Sequence, residues 1–181
     1  MTRPLELRAP LPGLLWGAYP ERREPPRTRW PWQRARYARQ LAAVRAAEES
    51  WRGLDAVAFA ARLRGVQGRL GRDGLAGAAP IEALAAAVDA ARRSLGLAAY
   101  DTQIHAALVM LDNRLAELAT GEGKTLAAAL AAAVGALAGL PVHVLTANDY
   151  LVERDATKLA AFYAALGLRV DFVVGPQDEA R

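Results

Sequence analysis

Apolar positions recur every three or four residues through the first part of the chain, and the period shortens to two further on. Residues 33–51 place Tyr37, Leu41, Val44, Glu48 and Trp51 in one row, a spacing that predicts a helix. Asp55 is a fitting N-cap for a second helix running to Gln67 with Val57, Ala61, Leu63 and Val66. Glycine at positions 68, 71, 74 and 77 predicts a loop over 68–80. Pro80 then opens a third helix, with Ile81, Leu84, Ala85, Val88, Ala91 and Leu95 on its apolar face and Gly96 as its stop. A fourth carries Ile104, Leu108 and Leu111 up to the turn pair Asp112-Asn113.

After Asn113 the pattern changes. The stretches "RLAEL" (114–118), "VHVLT" (142–146) and "LRVDFVV" (168–174) predict strands. Helices over about 124–137 and 148–167 separate them, the latter capped by Asn148 or Asp149 and stopped by Gly167. Strand-helix alternation of this kind predicts an α/β fold with a parallel sheet of about three strands and right-handed crossovers, preceded by a helical segment. The expected organisation is an arm over 1–32, a helical segment over 33–97 and the α/β part over 98–181.

The arm is set apart by composition. Residues 1–32 hold seven of the ten prolines and three of the four tryptophans. Residues 1–39 carry nine arginines against three glutamates, a balance of +6, so the remainder of this +4 chain sums to −2. The expectation is an extended basic arm, either packing Trp30 and Trp32 on the following helices or contacting an anionic surface or partner. There is no cysteine, which excludes disulfide and thiolate chemistry, and the two histidines, His105 and His143, are isolated, which argues against zinc. No apolar run reaches the length of about 18 residues that a membrane-spanning helix needs, and no secretory signal is recognisable.

Against 21 arginines the chain has two lysines, Lys124 and Lys158, and Lys124 lies within "TGEGKT" (120–125). Between a predicted strand and a predicted helix, this is the setting of a phosphate-binding loop. Gly121 and Gly123 allow the backbone to turn its amides inward, and the helix N-terminus adds positive potential. Lys124 supplies a compact point charge for β and γ phosphates, and Thr125 a hydroxyl for a nucleotide-bound Mg2+ ion. The loop residues Thr120, Gly121, Glu122, Gly123, Lys124 and Thr125 are therefore the candidate ATP site. Glu122 is expected to contribute its backbone amide rather than its side chain. A glycine-bearing helix start with an incidental lysine is the plainer alternative, since Leu118 stands where the full pattern has glycine.

The "TGxGKT" form without a leading glycine resembles the translocating ATPases of helicase-like superfamily 2. Within it the chain is similar to the SecA family of bacterial preprotein translocase motors. "PIEALAAAVDAARRSLGL" (80–97), "YDTQIHAALVMLDNRLAEL" (100–118), "ATGEGKTLAAALAAAVGALAG" (119–139) and "VHVLTANDYLVERDA" (142–156) carry the resemblance in order and spacing. "NDYLVERD" is the most specific of them. The resemblance covers roughly residues 35–175 and implies a RecA-like P-loop NTPase sheet, the N-terminal part of the first nucleotide-binding lobe. It implies that Gln103 reads the adenine edge, that Tyr100 packs near the base and that Arg154 lies near the nucleotide. For Gln103 the alternative is a solvated loop residue, and for Arg154 an ion pair with Asp155 or Glu153.

The same resemblance implies ATP and Mg2+ as cofactors. It implies a protein-conducting membrane channel, unfolded preprotein and anionic lipid as partners, and a cytoplasmic location that extends to the inner face of the cell membrane. No nucleic-acid partner is expected. The chain reaches no acidic Walker B element, and the closing "QDEAR" (177–181) is expected to be coincidental, so the 181 residues alone are not expected to turn over ATP. Two rival readings share the loop: a superfamily 2 nucleic-acid helicase segment, and a module that binds nucleotide or a partner without hydrolysis.

Overall fold

The structure is a computed structural model that describes residues 31–174. The arm over 1–30 and the "QDEAR" stretch lie outside the described residues. Six helices follow one another: α1 (Pro31–Arg52), α2 (Ala56–Asp73), α3 (Ala79–Leu95), α4 (Asp101–Leu111), α5 (Lys124–Leu137) and α6 (Asp149–Ala165).

The expected parallel sheet is not formed: among the described residues there is no strand. Residues 114–118, 142–146 and 168–174 have no regular secondary structure, and no backbone hydrogen bond joins any of them to another. The physical reason lies in what covers them. A parallel sheet is stable when both of its faces are buried by helices. Here each of the three stretches leaves a large apolar side chain uncovered: Leu115, Leu145 and Val173 are exposed. The period-2 pattern of these three stretches therefore does not correspond to strands.

Two boundaries also move. Pro31 and Trp32, assigned to the arm, begin α1. The loop expected from 68 runs as helix instead, and α2 ends only where Gly74 takes φ 64°. Leu70 explains the extension: it follows Leu63 and Val66 on the same face and is fully buried. That burial outweighs the cost of helical glycine, about 1 kcal/mol each for Gly68 and Gly71.

Helix α3 is the centre. It packs on α1, α2, α5 and α6, and every residue from Ala83 to Ala91 is buried. Alanine at most of these positions lets four helices approach closely on all sides. The one charge among them, Asp89, is fully buried between Arg92 and Arg93 of its own helix. Arg93 also donates to the carbonyls of Trp51 (2.5 Å) and Leu54 (2.6 Å), satisfying the C-terminal end of α1. On α1, Glu48 is buried in the apolar row because Arg45 and Arg52 each reach it at 2.9 Å.

Arg45 has a second task that matters for the site. It forks onto Asp101 and donates to the Ala99 carbonyl at 2.7 Å. The start of α4, where Tyr100 and Gln103 lie, is thereby fixed to α1. No described helix is long and apolar enough to cross a membrane.

Candidate functional site

The site is built where α4 and α6 meet the turn that starts α5. Residues 119–123 form that turn, and Gly121 and Gly123 adopt φ of 91° and 76°. Both values lie in the left-handed region that side chains disfavour, so glycine is required here for conformation. At Gly123 space forbids a side chain as well: an added Cβ would stand 2.2 Å from Gln103 Nε2.

Gly123 is the N-cap of α5 with no side-chain cap, and no backbone carbonyl accepts from the amides of Gly121, Gly123, Lys124 or Thr125. The first turn of α5 also carries no acidic side chain. These unpartnered amides at the positive end of a helix suit an anion with several oxygens. The donor set therefore fits a nucleotide's phosphates. The Glu122 amide behaves differently from expectation: it donates to the Ala119 carbonyl at 3.3 Å, while the Glu122 carboxylate accepts from the Ala119 amide at 3.2 Å. Lys124 turns its Nζ onto the same Ala119 carbonyl, at 2.8 Å. Its ammonium is exposed, and Thr120 is an exposed residue of the turn.

Gln103 is not a solvated loop residue. It is 5% exposed and braces the site from below. Its Oε1 accepts from the Tyr100 amide (3.0 Å), and its Nε2 donates to the Glu122 carbonyl (2.9 Å). A side-chain amide has two N–H groups and two acceptor lone pairs, so one of each remains. Tyr100, at the N-cap of α4, is exposed.

Arg154 forms the ion pair weighed as its alternative. Its Nε and Nη2 reach Asp155 Oδ1 at 2.9 and 2.6 Å. The other oxygen, Oδ2, accepts from the Thr125 hydroxyl at 3.4 Å. The structure thus brings Gln103, the glycine turn, Lys124 and Thr125 together, and connects Arg154 to them through Asp155. Sequence reasoning missed Asp155 as a member of the site; its place within "NDYLVERD" was the available signal. Beside Lys124 and Thr125 a cavity of about 620 Å3 opens between α5, α6 and the segments 142–146 and 168–173. Tyr163 lines it, and burial pushes its hydroxyl above the ordinary tyrosine value. Among the described residues no cluster of three or more acidic, histidine or cysteine side chains could hold a metal by itself.

Comparison with known proteins adds the following. A family model for the SecA DEAD-like domain matches residues 27–181. The protein translocase subunit SecA 2 of Bordetella avium (strain 197N) is 49% identical over 121 residues, 67% of this chain and 18% of that protein. The protein translocase subunit SecA of Neisseria meningitidis serogroup A is 41% identical over 140 residues, 76% of this chain and 15% of that protein. That of Dichelobacter nodosus (strain VCS1703A) is 41% identical over 135 residues, 75% and 15% respectively. The chain spans less than a fifth of the length of these curated relatives.

Proposed function

The chain belongs to the SecA family, and on that premise we propose that residues 100–155 form the phosphate- and adenine-binding side of an ATP site in a protein translocation motor. The observation that carries the reading is the set of unpartnered amides on Gly121, Gly123, Lys124 and Thr125 at the start of α5.

In this reading the four amides hold the β-phosphate region. Lys124 leaves the Ala119 carbonyl and turns its ammonium to the β and γ phosphates, exchanging a neutral acceptor for a charged one. Thr125 presents its hydroxyl to a nucleotide-bound Mg2+ ion, which when bound screens the phosphate charges. Gln103 uses its remaining N–H and lone pair on the adenine edge while its other two bonds keep the turn in place. Tyr100 offers an exposed ring to the base, and Arg154 stands ready to neutralise phosphate charge.

The translocation motor as a whole would couple ATP turnover to moving unfolded preprotein through a protein-conducting membrane channel. It would work from the cytoplasm at the inner face of the membrane, with anionic lipid as its peripheral contact. "Protein translocase" is the description carried by the relatives.

Titration of a fluorescent ATP analogue against the chain and against Lys124→Ala tests the site. Loss of a charge-assisted contact predicts roughly 10- to 100-fold weaker binding in the variant. Equal affinity for both would remove Lys124, and with it the reading.

A further inference from the structure

We propose that Asp155 is a positioning residue for the divalent cation of this site, orienting the Thr125 hydroxyl by accepting its proton. The inference rests on the ATP-binding reading and adds to it a residue on a different helix.

Asp155 Oδ2 accepts from Thr125 Oγ1 at 3.4 Å, which is the one side-chain hydrogen bond between α5 and α6 among the described residues. A hydroxyl has one proton and two lone pairs. With the proton directed to Asp155, both lone pairs are left facing away from the carboxylate, where a cation can use them. If the proton pointed towards the cation instead, the hydroxyl would repel it. Groups that hold a cation's ligands in the correct orientation are part of its affinity.

The carboxylate is itself held in place. Arg154 grips Oδ1 through two nitrogens, which leaves Oδ2 for Thr125. Asp155 is 16% exposed, whereas Arg154 is 43% exposed, so the acceptor is shielded and its counter-charge faces solvent. Asn148 accepts from the Leu151 amide at 2.9 Å and so fixes the start of the helix that delivers Asp155. Lys124, Thr125 and Asp155 all border the cavity between α5 and α6. The Thr125–Asp155 bond links the two helices at the start of α5, beside the glycine turn.

The test measures affinity for a fluorescent ATP analogue with Mg2+ and again with EDTA. The proteins are the wild-type chain, Asp155→Ala, Asp155→Asn, Thr125→Val and the double variant Asp155→Ala/Thr125→Val, with far-UV circular dichroism confirming that each is folded. Asp155→Ala is expected to cut the Mg2+-to-EDTA affinity ratio about tenfold. Asp155→Asn retains an acceptor oxygen and should recover most of the ratio, whereas adding Asp155→Ala to Thr125→Val should change nothing further. An unchanged ratio in Asp155→Ala, or a further fall in the double variant, overturns the proposal. If the wild-type chain binds the analogue and Lys124→Ala does not, such a result removes only the role of Asp155. If the wild type does not bind, the ATP site and this inference fall together.

Discussion

Gln103 and Glu122 are joined by a 2.9 Å hydrogen bond from the buried side-chain amide of one to the main-chain carbonyl of the other. The same amide accepts from the Tyr100 backbone, so a single side chain connects the N-terminus of α4 to the turn before α5. Arg45 in turn fixes that N-terminus to α1 through Asp101 and Ala99. The conformation of the glycine turn over 119–123 is therefore set by the helical bundle.

A strut and an adenine reader respond differently to the same mutation. Gln103→Ala removes two part-buried hydrogen bonds, at a cost of about 1 kcal/mol each to stability. A strut predicts weaker binding of inorganic tripolyphosphate as well as of ATP, because the turn itself loosens. A residue that only reads adenine predicts loss for ATP alone. We expect both ligands to weaken, and competition of each against a fluorescent analogue measures it.

The two glycines of the turn make an ordered pair. Gly121→Ala meets no atom within 4 Å, so it suffers only the left-handed conformation, about 1–2 kcal/mol. Gly123→Ala suffers that and also drives a methyl into Gln103 Nε2, which must swing away and give up both of its bonds. Urea unfolding should therefore rank Gly123→Ala below Gly121→Ala in stability. Its nucleotide affinity should be the lower as well.

These residues show what the sequence made legible. Gly121 and Gly123 were readable because the turn's left-handed backbone angles demand glycine for a local reason. The helices were readable from their apolar period. The sheet was misread because pairing depends on what lies across and above a strand, and alternation in "VHVLT" or "LRVDFVV" records only the strand's own side chains. Asp155 was overlooked for a similar reason. Its partner is thirty residues away, on a helix whose direction relative to α5 no local pattern specifies.

The buried charge of α3 should be the weakest point of the core when broken. Asp89 is fully buried, and its partner Arg93 holds the end of α1 through the Trp51 and Leu54 carbonyls. Asp89→Ala leaves the partly exposed Arg92 and Arg93 without their counter-charge and loosens the donor to the α1 carbonyls, at a cost of about 1.5–3 kcal/mol. Arg62 stacks 4.2 Å over the Trp51 ring at the same junction, yet it is on the surface side, so Arg62→Ala should cost about 1 kcal/mol or less. Thermal melts of the two variants, read against wild type, compare them directly.

Acid stability should depend on the junction of α1 with the end of α4. There Asp112 accepts from the Tyr37 hydroxyl at 2.7 Å and from Arg36 at 3.0 Å, with Arg114 alongside. Burial pushes the Asp112 carboxyl up, but the hydrogen bonds from Tyr37, Arg36 and Arg114 outweigh it and hold the group below its ordinary value of 3.8. A carboxyl lowered in the folded state binds its proton more tightly when unfolded. Its contribution is therefore complete above the ordinary value and is lost as pH falls through the folded one. Tyr37 is shifted the opposite way, raised first by burial and then by its bond to Asp112, so its contribution persists below its ordinary value of 10.0 and is lost only in strong alkali. Between about pH 7 and about pH 3, Asp112→Asn should therefore flatten the fall in melting temperature, with its largest difference from wild type at the neutral end. Tyr37→Phe removes one of the three donors, so it should leave a smaller acid dependence than wild type has and a larger one than Asp112→Asn. Equal slopes for wild type and Asp112→Asn would show that this carboxylate contributes nothing to acid unfolding.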